Sequence, residues 1–417
     1  MKHFLLIPVG SHGDVNPFVG LGAALKSRGH RVTVATNGYF EDLVRKEGLE
    51  FVELGSRDEF LRMVNHPDLW DPVRSAYLIY REGVVPLLRP MYKMIEQEAV
   101  PGETVLVGSI LAFGARIAQE KLRLSFASVH LQPAVFRSCI KPPLIPGLHW
   151  VRKLPPWAVR GVFRVVDEVV DRMIGPEINR FRGELGLAPA HRFIDQWWHS
   201  PQRVIGLFPE WFATPAPDWP KQVKLTHFPL YDGASAEPMP PELETFLSAG
   251  PPPIVFTPGS AMSQGVSFFQ ESLQACERLG CRGLFLTKFP SSVPHRLPPQ
   301  VRRFGYVPFS HLLPKAAAFV HHGGIGSTSQ ALAAGIPQLI MPLAHDQPDN
   351  ADRARKLGVA LVLSPQDYKA NSVAAVLKEL MENPAYKSQA LAIRKRFEGV
   401  DAQAETCRFL EELPKFP

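Results

Sequence analysis

The sequence is poor in cysteine and contains neither a long apolar run nor an Asp-x-Asp pair. Its four cysteines (Cys139, Cys276, Cys281 and Cys407) make no Cys-x-x-Cys and no Cys/His cluster, which argues against structural zinc. They read as reduced thiols of a cytoplasmic protein. No apolar stretch approaches the ~20 residues that a bilayer-spanning helix needs. Phe4 to Val9 runs straight into a glycine turn rather than a cleavage site, so no signal peptide is expected. Without Asp-x-Asp the sequence lacks that cation-binding motif, and no metal is expected.

Proline, by contrast, is plentiful: 41 residues, about twice the usual share. Clusters at Pro142–Pro146, Pro215–Pro220, Pro238–Pro241 and Pro251–Pro253 mark stiff, non-helical connections. A length of 417 residues exceeds what one core normally organises, and two domains are expected. The net charge of +6 favours anionic partners, among which nucleotide, nucleic acid and anionic membrane remain open on charge alone.

The chain alternates apolar strand-like runs with helical patterns. His3 to Val9 reads as a buried strand, Gly10 to Val15 as a loop, and Asn16-Pro17 as the cap and first residue of a helix that stops at Gly29. Arg31 to Ala35 is the next strand. Further strands are expected at Phe51–Leu54, Thr104–Gly108, Phe126–His130 and Arg203–Phe208. A linker is expected over Asp232 to Pro253. Beyond it lie strands at Ile254–Thr257, Gly283–Lys288, Val301–Tyr306, Ala317–Val320, Leu339–Met341 and Val359–Leu363. Strand, glycine loop and helix in succession open a doubly wound α/β domain, whose ligands collect at the carboxyl ends of the strands.

The segment from Val135 to Gly186 is of another kind. Arg137 through Arg164 holds six Lys/Arg and no acid, among prolines and aromatics. It reads either as a solvated loop and helix face or as a mobile flap over an apolar ligand, resting on anionic lipid.

The most informative stretch is Val320 to Asn350. An apolar strand ends in His321-His322, followed by Gly323, Gly324 and Gly326, a helix from about Ser327 and a stop at Gly335. Free amides at a helix start, with glycines that let an anion approach, suit a phosphate. Adjacent strand residues face opposite ways, so the two histidines suit separate tasks better than one shared metal. Either can offer an N–H to the anion.

This stretch resembles the donor signature of the UDP-glycosyltransferase superfamily (glycosyltransferase family 1, GT-B fold). The resemblance implies an α/β architecture of two doubly wound Rossmann-like domains facing across a cleft. Residues 1–235 would bind acceptor and 240–398 the nucleotide-sugar donor, with 399–417 returning to the first domain. It implies that His322, Gly324, Gly326 and Ser327 hold the diphosphate, and that Asp346 and Gln347 bond the sugar. Gln330 stands where many members carry a ribose-binding glutamate, which leaves UDP and dTDP both open. Tyr306 would stack on the pyrimidine beside the Val307 backbone, and Gly259-Ser260 would form a second phosphate-facing turn.

Where many members read Gly-His-x-Asn-Pro, this chain reads Gly13-Asp14-Val15-Asn16-Pro17, so Asp14 takes the place of the catalytic histidine. The position that carries an orienting aspartate in those members falls at Val107-Gly108-Ser109. A carboxylate needs no partner to fix its tautomer, so the two changes agree. Asp14 could otherwise shape the loop through an Asx-turn; His12 reads either as a backup base or as a loop hydrogen bond. Gln196–Pro201, Leu207–Phe212, Asp218–Pro220 and Phe228–Gly233 look like the rhamnolipid rhamnosyltransferases and related sterol and lipid members.

The expectation is therefore an inverting hexosyltransferase that needs neither metal nor cofactor beyond its nucleotide-sugar. Its acceptor would be an apolar hydroxyl compound such as a hydroxy-fatty-acyl lipid, with peripheral membrane contact and no nucleic acid. A natural-product glycosyltransferase, a non-catalytic GT-B activator and a sugar-nucleotide epimerase are the alternatives.

Overall fold

Among the described residues thirteen short strands carry the apolar runs, and the two sheets they form explain the alternation in the sequence. The structure, a computed structural model, describes residues 1–71, 74–233, 239–259 and 265–416. Ser260 and the expected boundary at residue 235 lie outside the described residues. The chain divides into two compact units: Met1–Pro229 with Asp401–Pro417, and Leu230–Val400.

The first unit contains β1 (His3–Ile7), β2 (Arg31–Thr36), β3 (Glu50–Glu53), β4 (Thr104–Gly108), β5 (Ser125–His130), β6 (Arg203–Gly206) and β7 (Val223–Leu225). They lie in the order β3-β2-β1-β4-β5-β6-β7, all parallel. The second contains β8 (Ile254–Thr257), β9 (Gly283–Leu286), β10 (Val301–Phe304), β11 (Ala318–His321), β12 (Gln338–Ile340) and β13 (Ala360–Val362). Their order is β10-β9-β8-β11-β12-β13, again parallel. This is the pair of Rossmann-like α/β domains that the alternation predicts.

Both faces of a parallel sheet must be covered, so its strands read as continuous apolar runs. In the second unit Ile254, Phe256 and Val320 pack into a core on one face, and Val255 and Phe319 into a core on the other. Strand order reverses between β1 and β4 and between β8 and β11. Such switch points open the crevices where ligands of this architecture sit.

Four expectations need correction. The first helix spans His12–Ser27 rather than starting at Pro17. Ser11 caps it and Asp14 returns the bond, a capping box that starts the helix before proline can; Pro17 sits inside and leaves one rung without a donor. β7 was not expected, because a three-residue strand has too little length to show a period. The expected linker contains a helix, Pro241–Ser248, anchored by fully buried Leu243.

The fourth correction concerns Arg137 alone, since the rest of the basic segment matches the solvated loop and helix face. Much of the segment is a 29-residue helix, Pro156–Glu184, and its first arginine is not a surface charge. The Arg137 side chain is only 6% exposed, pairs with Asp167 and lies 3.2 Å from Asp195. No helix among the described residues is long and apolar enough to cross a membrane. The terminal helix Ala402–Glu411 belongs to the first unit. There Glu411 takes bonds from Arg28 at 2.6 Å and His30 at 2.9 Å.

Candidate functional site

The second switch point brings together residues more than sixty positions apart. β8 and β11 are neighbours, so Pro258-Gly259 and His322-Gly323-Gly324 leave the sheet side by side. Gly259 has φ +110°, and a Cβ there would stand 3.0 Å from His322 Cε1. A Cβ on Gly324 would stand 2.5 Å from His322 Nε2. The two glycines therefore make a slot for the imidazole.

The two histidines divide their work as strand alternation requires. His321 is fully buried and stacks on Phe319, 4.6 Å between centroids. Its Nδ1 accepts the Gly323 N–H at 3.1 Å, so the proton is on Nε2, which donates to Gln338 Oε1 at 3.0 Å. Both nitrogens are thus spent on holding the glycine turn. Gly323 itself has φ +87°, and a Cβ there would meet Ile340 Cγ2 at 2.8 Å.

His322 Nδ1 is buried without a hydrogen-bond partner. Burial lowers its pKa to about 4, so the ring is neutral near pH 7. Beside it begins the helix Ile325–Ala334, whose N-cap is Gly324 and whose start no side chain caps. The first bond from this turn to Gly324 O comes from Thr328 N at 3.0 Å, which leaves the amides of Ile325, Gly326 and Ser327 outside the helical ladder. An unpartnered imidazole nitrogen and three amides at a positive helix end form a site for an anion.

Asp346 and Gln347 are brought to this turn by a residue that sequence reading missed. Asn350 Nδ2 donates to Gly323 O at 3.0 Å and to Asp346 Oδ2 at 2.6 Å. Burial, with nearby Asp349, raises the Asp346 pKa to about 6, against the opposing Asn350 bond. Gln347 Oε1 accepts from Leu343 N at 2.8 Å and Ala344 N at 3.2 Å, so its oxygen is committed to the turn. The Asp346/Asn350 spacing of one helical turn is the signal that could have found Asn350.

Tyr306 is 44% exposed while Val307 is buried in the core, so the ring offers a face and Val307 only its backbone. The Tyr306 hydroxyl donates to the Asp232 carbonyl, and the Asp232 carboxylate accepts from Ser310 N at 2.8 Å. Gln330, 6% exposed, donates from Nε2 to Leu230 O at 3.0 Å. Leu230 and Asp232, at the start of the expected linker and within the Phe228–Gly233 stretch, thus brace Gln330 and Tyr306. Nothing in the composition of that stretch signals this.

In the first unit Asp14 lies just after β1, beside the β1/β4 switch point. Its Oδ2 accepts from Ser11 N at 2.7 Å and from Ser11 Oγ at 3.0 Å. Gly10, with φ +138°, makes the fold-back feasible, since a Cβ there would lie 2.3 Å from Asp14 Oδ2. The carboxylate is therefore a helix cap, whatever else it does. Ser109 Oγ accepts from Val9 N at 3.0 Å and ties the β4 loop to the β1 loop. His12 packs edge-on against Tyr39 and Phe40.

A second feature of this unit was not visible in the sequence. Trp198 Nε1–H donates to His199 Nε2 at 3.1 Å, so His199 donates from Nδ1 to His130 Nε2 at 2.9 Å. The chain of donors leaves His130 Nδ1–H buried without a partner at the end of β5. Burial lowers the pKa of both histidines, to about 4 for His199, which keeps them neutral as the relay requires. Among the described residues no group of three or more His, Cys, Asp or Glu is placed to hold a metal.

Two family models match this chain. Residues 4–134 match the glycosyltransferase family 28 N-terminal domain, and residues 289–413 match the erythromycin biosynthesis protein CIII-like C-terminal domain. O-mycaminosyltylonolide 6-deoxyallosyltransferase of Streptomyces fradiae is 29% identical over 98% of this chain and 96% of its own length. The two models and this relative support a place for the chain among the glycosyltransferases.

The chain is also 28% identical, over 97% of its length, to a sterol 3-beta-glucosyltransferase of Pichia angusta, of which it spans 33%. The glycotransferase of kitacinnamycin shares its fold at TM-score 0.75 and 20% identity, with 100% of this chain and 99% of that one covered. A spinosyn rhamnosyltransferase complexed with thymidine diphosphate superposes at TM-score 0.70 and 17% identity, covering 99% and 100%. The architecture is thus that of the GT-B nucleotide-sugar glycosyltransferases. The narrower placement in family 1 is not what the matching models carry, since the N-terminal one is a family 28 model.

Proposed function

We propose that this protein is a glycosyltransferase that moves a hexose, with inversion and without a metal, from a nucleoside diphosphate to a hydroxyl of an apolar acceptor. The observation that carries the reading is His322: a neutral imidazole with an unpartnered Nδ1, slotted between two glycines beside three uncapped amides.

In this reading Asp14 takes the proton of the acceptor hydroxyl as its oxygen attacks the anomeric carbon. The bond from that carbon to the diphosphate breaks on the opposite face, and the nucleoside diphosphate leaves with the electron pair. Charge growing on the diphosphate meets His322 and the amides of Gly324, Gly326 and Ser327, with Gly259 keeping the slot open. Tyr306 stacks on the base, with the Val307 backbone at its edge. Gln330 faces the ribose through the oxygen its Leu230 bond leaves over. Asp346 and the Gln347 amide nitrogen take sugar hydroxyls.

A dTDP- or UDP-hexose is the donor class, and dTDP is supported by the thymidine diphosphate bound in a protein of the same fold. A hydroxy-fatty-acyl lipid presented at a membrane surface is the acceptor proposed first. A macrolide or sterol alcohol is the second, supported by the tylonolide and sterol relatives. The deciding experiment incubates the purified chain with UDP-glucose and dTDP-rhamnose against hydroxy-fatty acids, a sterol and a macrolide aglycone. Mass spectrometry should find one glycosylated alcohol, and the one-bond C1–H1 coupling in its NMR spectrum should show an inverted anomeric configuration. Retained configuration, or sugar-nucleotide turnover without acceptor, would refute the reading.

A further inference from the structure

The basic segment carries a surface that catalysis does not use. On the helix Pro156–Glu184, Val159, Phe163, Asp167 and Ile174 are buried and Trp157, Val165, Val169 and Met173 are exposed, by 77%, 65%, 57% and 39%. With Gly161 these form a row at intervals of four, about 24 Å long at 1.5 Å per residue, that winds about 40° around the exposed side of the helix at each step. An apolar ridge of that length turned to water on a helix already packed through its other face calls for a partner.

Alongside it runs a second ridge: Arg160, Arg164, Glu168 and Arg172, all exposed. Glu168 is paired with Arg172 at 3.0 Å, whereas Arg160 and Arg164 have no ion-pair partner among the described residues. The preceding loop adds exposed Lys141 and Lys153, with Ile140 and Trp150 exposed by 50% and 44%. That loop is held to the helix by its own small core of Val151, Val159 and Phe163. No acid occurs between Arg137 and Arg164, so the amino-terminal half of the surface is cationic throughout.

We infer that this face docks on an anionic lipid bilayer, with Trp157, Val165 and Val169 in the headgroup layer and Arg160, Arg164, Lys141 and Lys153 on lipid phosphates. The amino-terminal half of this face, with six Lys/Arg and no acid from Arg137 to Arg164, complements an anionic lipid surface, and pairing with a second copy is an outcome the test separates. The inference rests on the proposed apolar acceptor for its purpose only; its physics is independent of sugar transfer. It also revises the sequence-based expectation of a flap. Arg137 is buried, and the lipid-facing element is a rigid helix.

The test is sedimentation of the full chain with vesicles of phosphatidylcholine alone or mixed with phosphatidylglycerol, without donor or acceptor. Pelleting with the anionic vesicles at low salt and release at high salt are expected. Arg160→Gln with Arg164→Gln should weaken partition about fivefold per charge. Val165→Glu with Val169→Glu, both at solvent-facing positions, should abolish it while leaving the melting temperature unchanged. No pelleting at low salt would overturn the proposal. So would equal binding to both vesicle types, or a wild-type dimer in light scattering that the glutamate variant makes monomeric. A chain that transfers sugar yet ignores vesicles sinks this inference alone, and one that binds vesicles but transfers nothing sinks the other.

Discussion

Asp14 has two candidate tasks, and substitution can separate them. As a cap, its Oδ2 takes bonds from Ser11 N and Ser11 Oγ. Loss of such a cap costs about 1 kcal/mol, or roughly 2–4 °C in melting temperature for a unit of this size. Asp14→Asn keeps a carbonyl oxygen where the Ser11 N–H points, so its stability should stay within about 0.5 kcal/mol of wild type. It loses only the ability to take a proton. Positioned general bases are worth roughly 10²–10⁴-fold, and kcat should fall by that factor. Asp14→Ala should lose both. Donor affinity, measured by calorimetry with the nucleoside diphosphate, should be untouched in either variant, because the residues proposed to hold the donor belong to the other unit. Thermal melts beside product formation by mass spectrometry complete the comparison. An Asn variant that turns over at near-normal rate would confine Asp14 to capping and refute the mechanism.

His322→Ala should weaken thymidine or uridine diphosphate about 10- to 100-fold by calorimetry, the worth of one hydrogen bond to a charged group; unchanged affinity would remove it from the diphosphate site. Tyr306→Phe keeps the ring but frees the Asp232 carbonyl, so stability should drop by about 1 kcal/mol with little change in nucleotide affinity. Tyr306→Ala should in addition lose stacking worth roughly 1–3 kcal/mol, and equal affinities for the two variants would deny the platform. Asp346 has its pKa raised to about 6 in the folded chain, so the fold binds its proton more tightly than the unfolded chain does. Its contribution to stability is therefore largest below the unfolded value near 3.9 and is lost as pH rises through about 6. Asp346→Asn should accordingly stabilise the protein at pH 7, on the order of 1–2 kcal/mol, and the gain should vanish in denaturation curves near pH 4. A gain that is constant with pH would mean the carboxylate is not what burial penalises.

Strands that are buried on both faces announce themselves, and for that reason β1, β4, β8 and β11 could be read within a residue or two. The half-exposed β7 could not. Asn16-Pro17 looked like a helix start because cap and proline are local signals. Ser11 and Asp14 are also a local signal, a capping box, and it acts earlier in the chain. The basic segment misled at Arg137 for a different reason: charge in a sequence does not say which arginine finds a buried carboxylate, and Arg137 found Asp167.

The sequence by itself determined the class of architecture and the glycine turn before the helix Ile325–Ala334, because both depend on short-range patterns: apolar runs, glycines and a helix start within a few residues. Tertiary structure alone decided which histidine is spent on the turn and which is left unpartnered, since that depends on Gln338 and Gly259 arriving from other strands. It also decided that Leu230 and Asp232 brace Gln330 and Tyr306 across 74 to 100 positions of chain. Hydrogen bonds over such separations are set by strand order and packing, which no local pattern encodes.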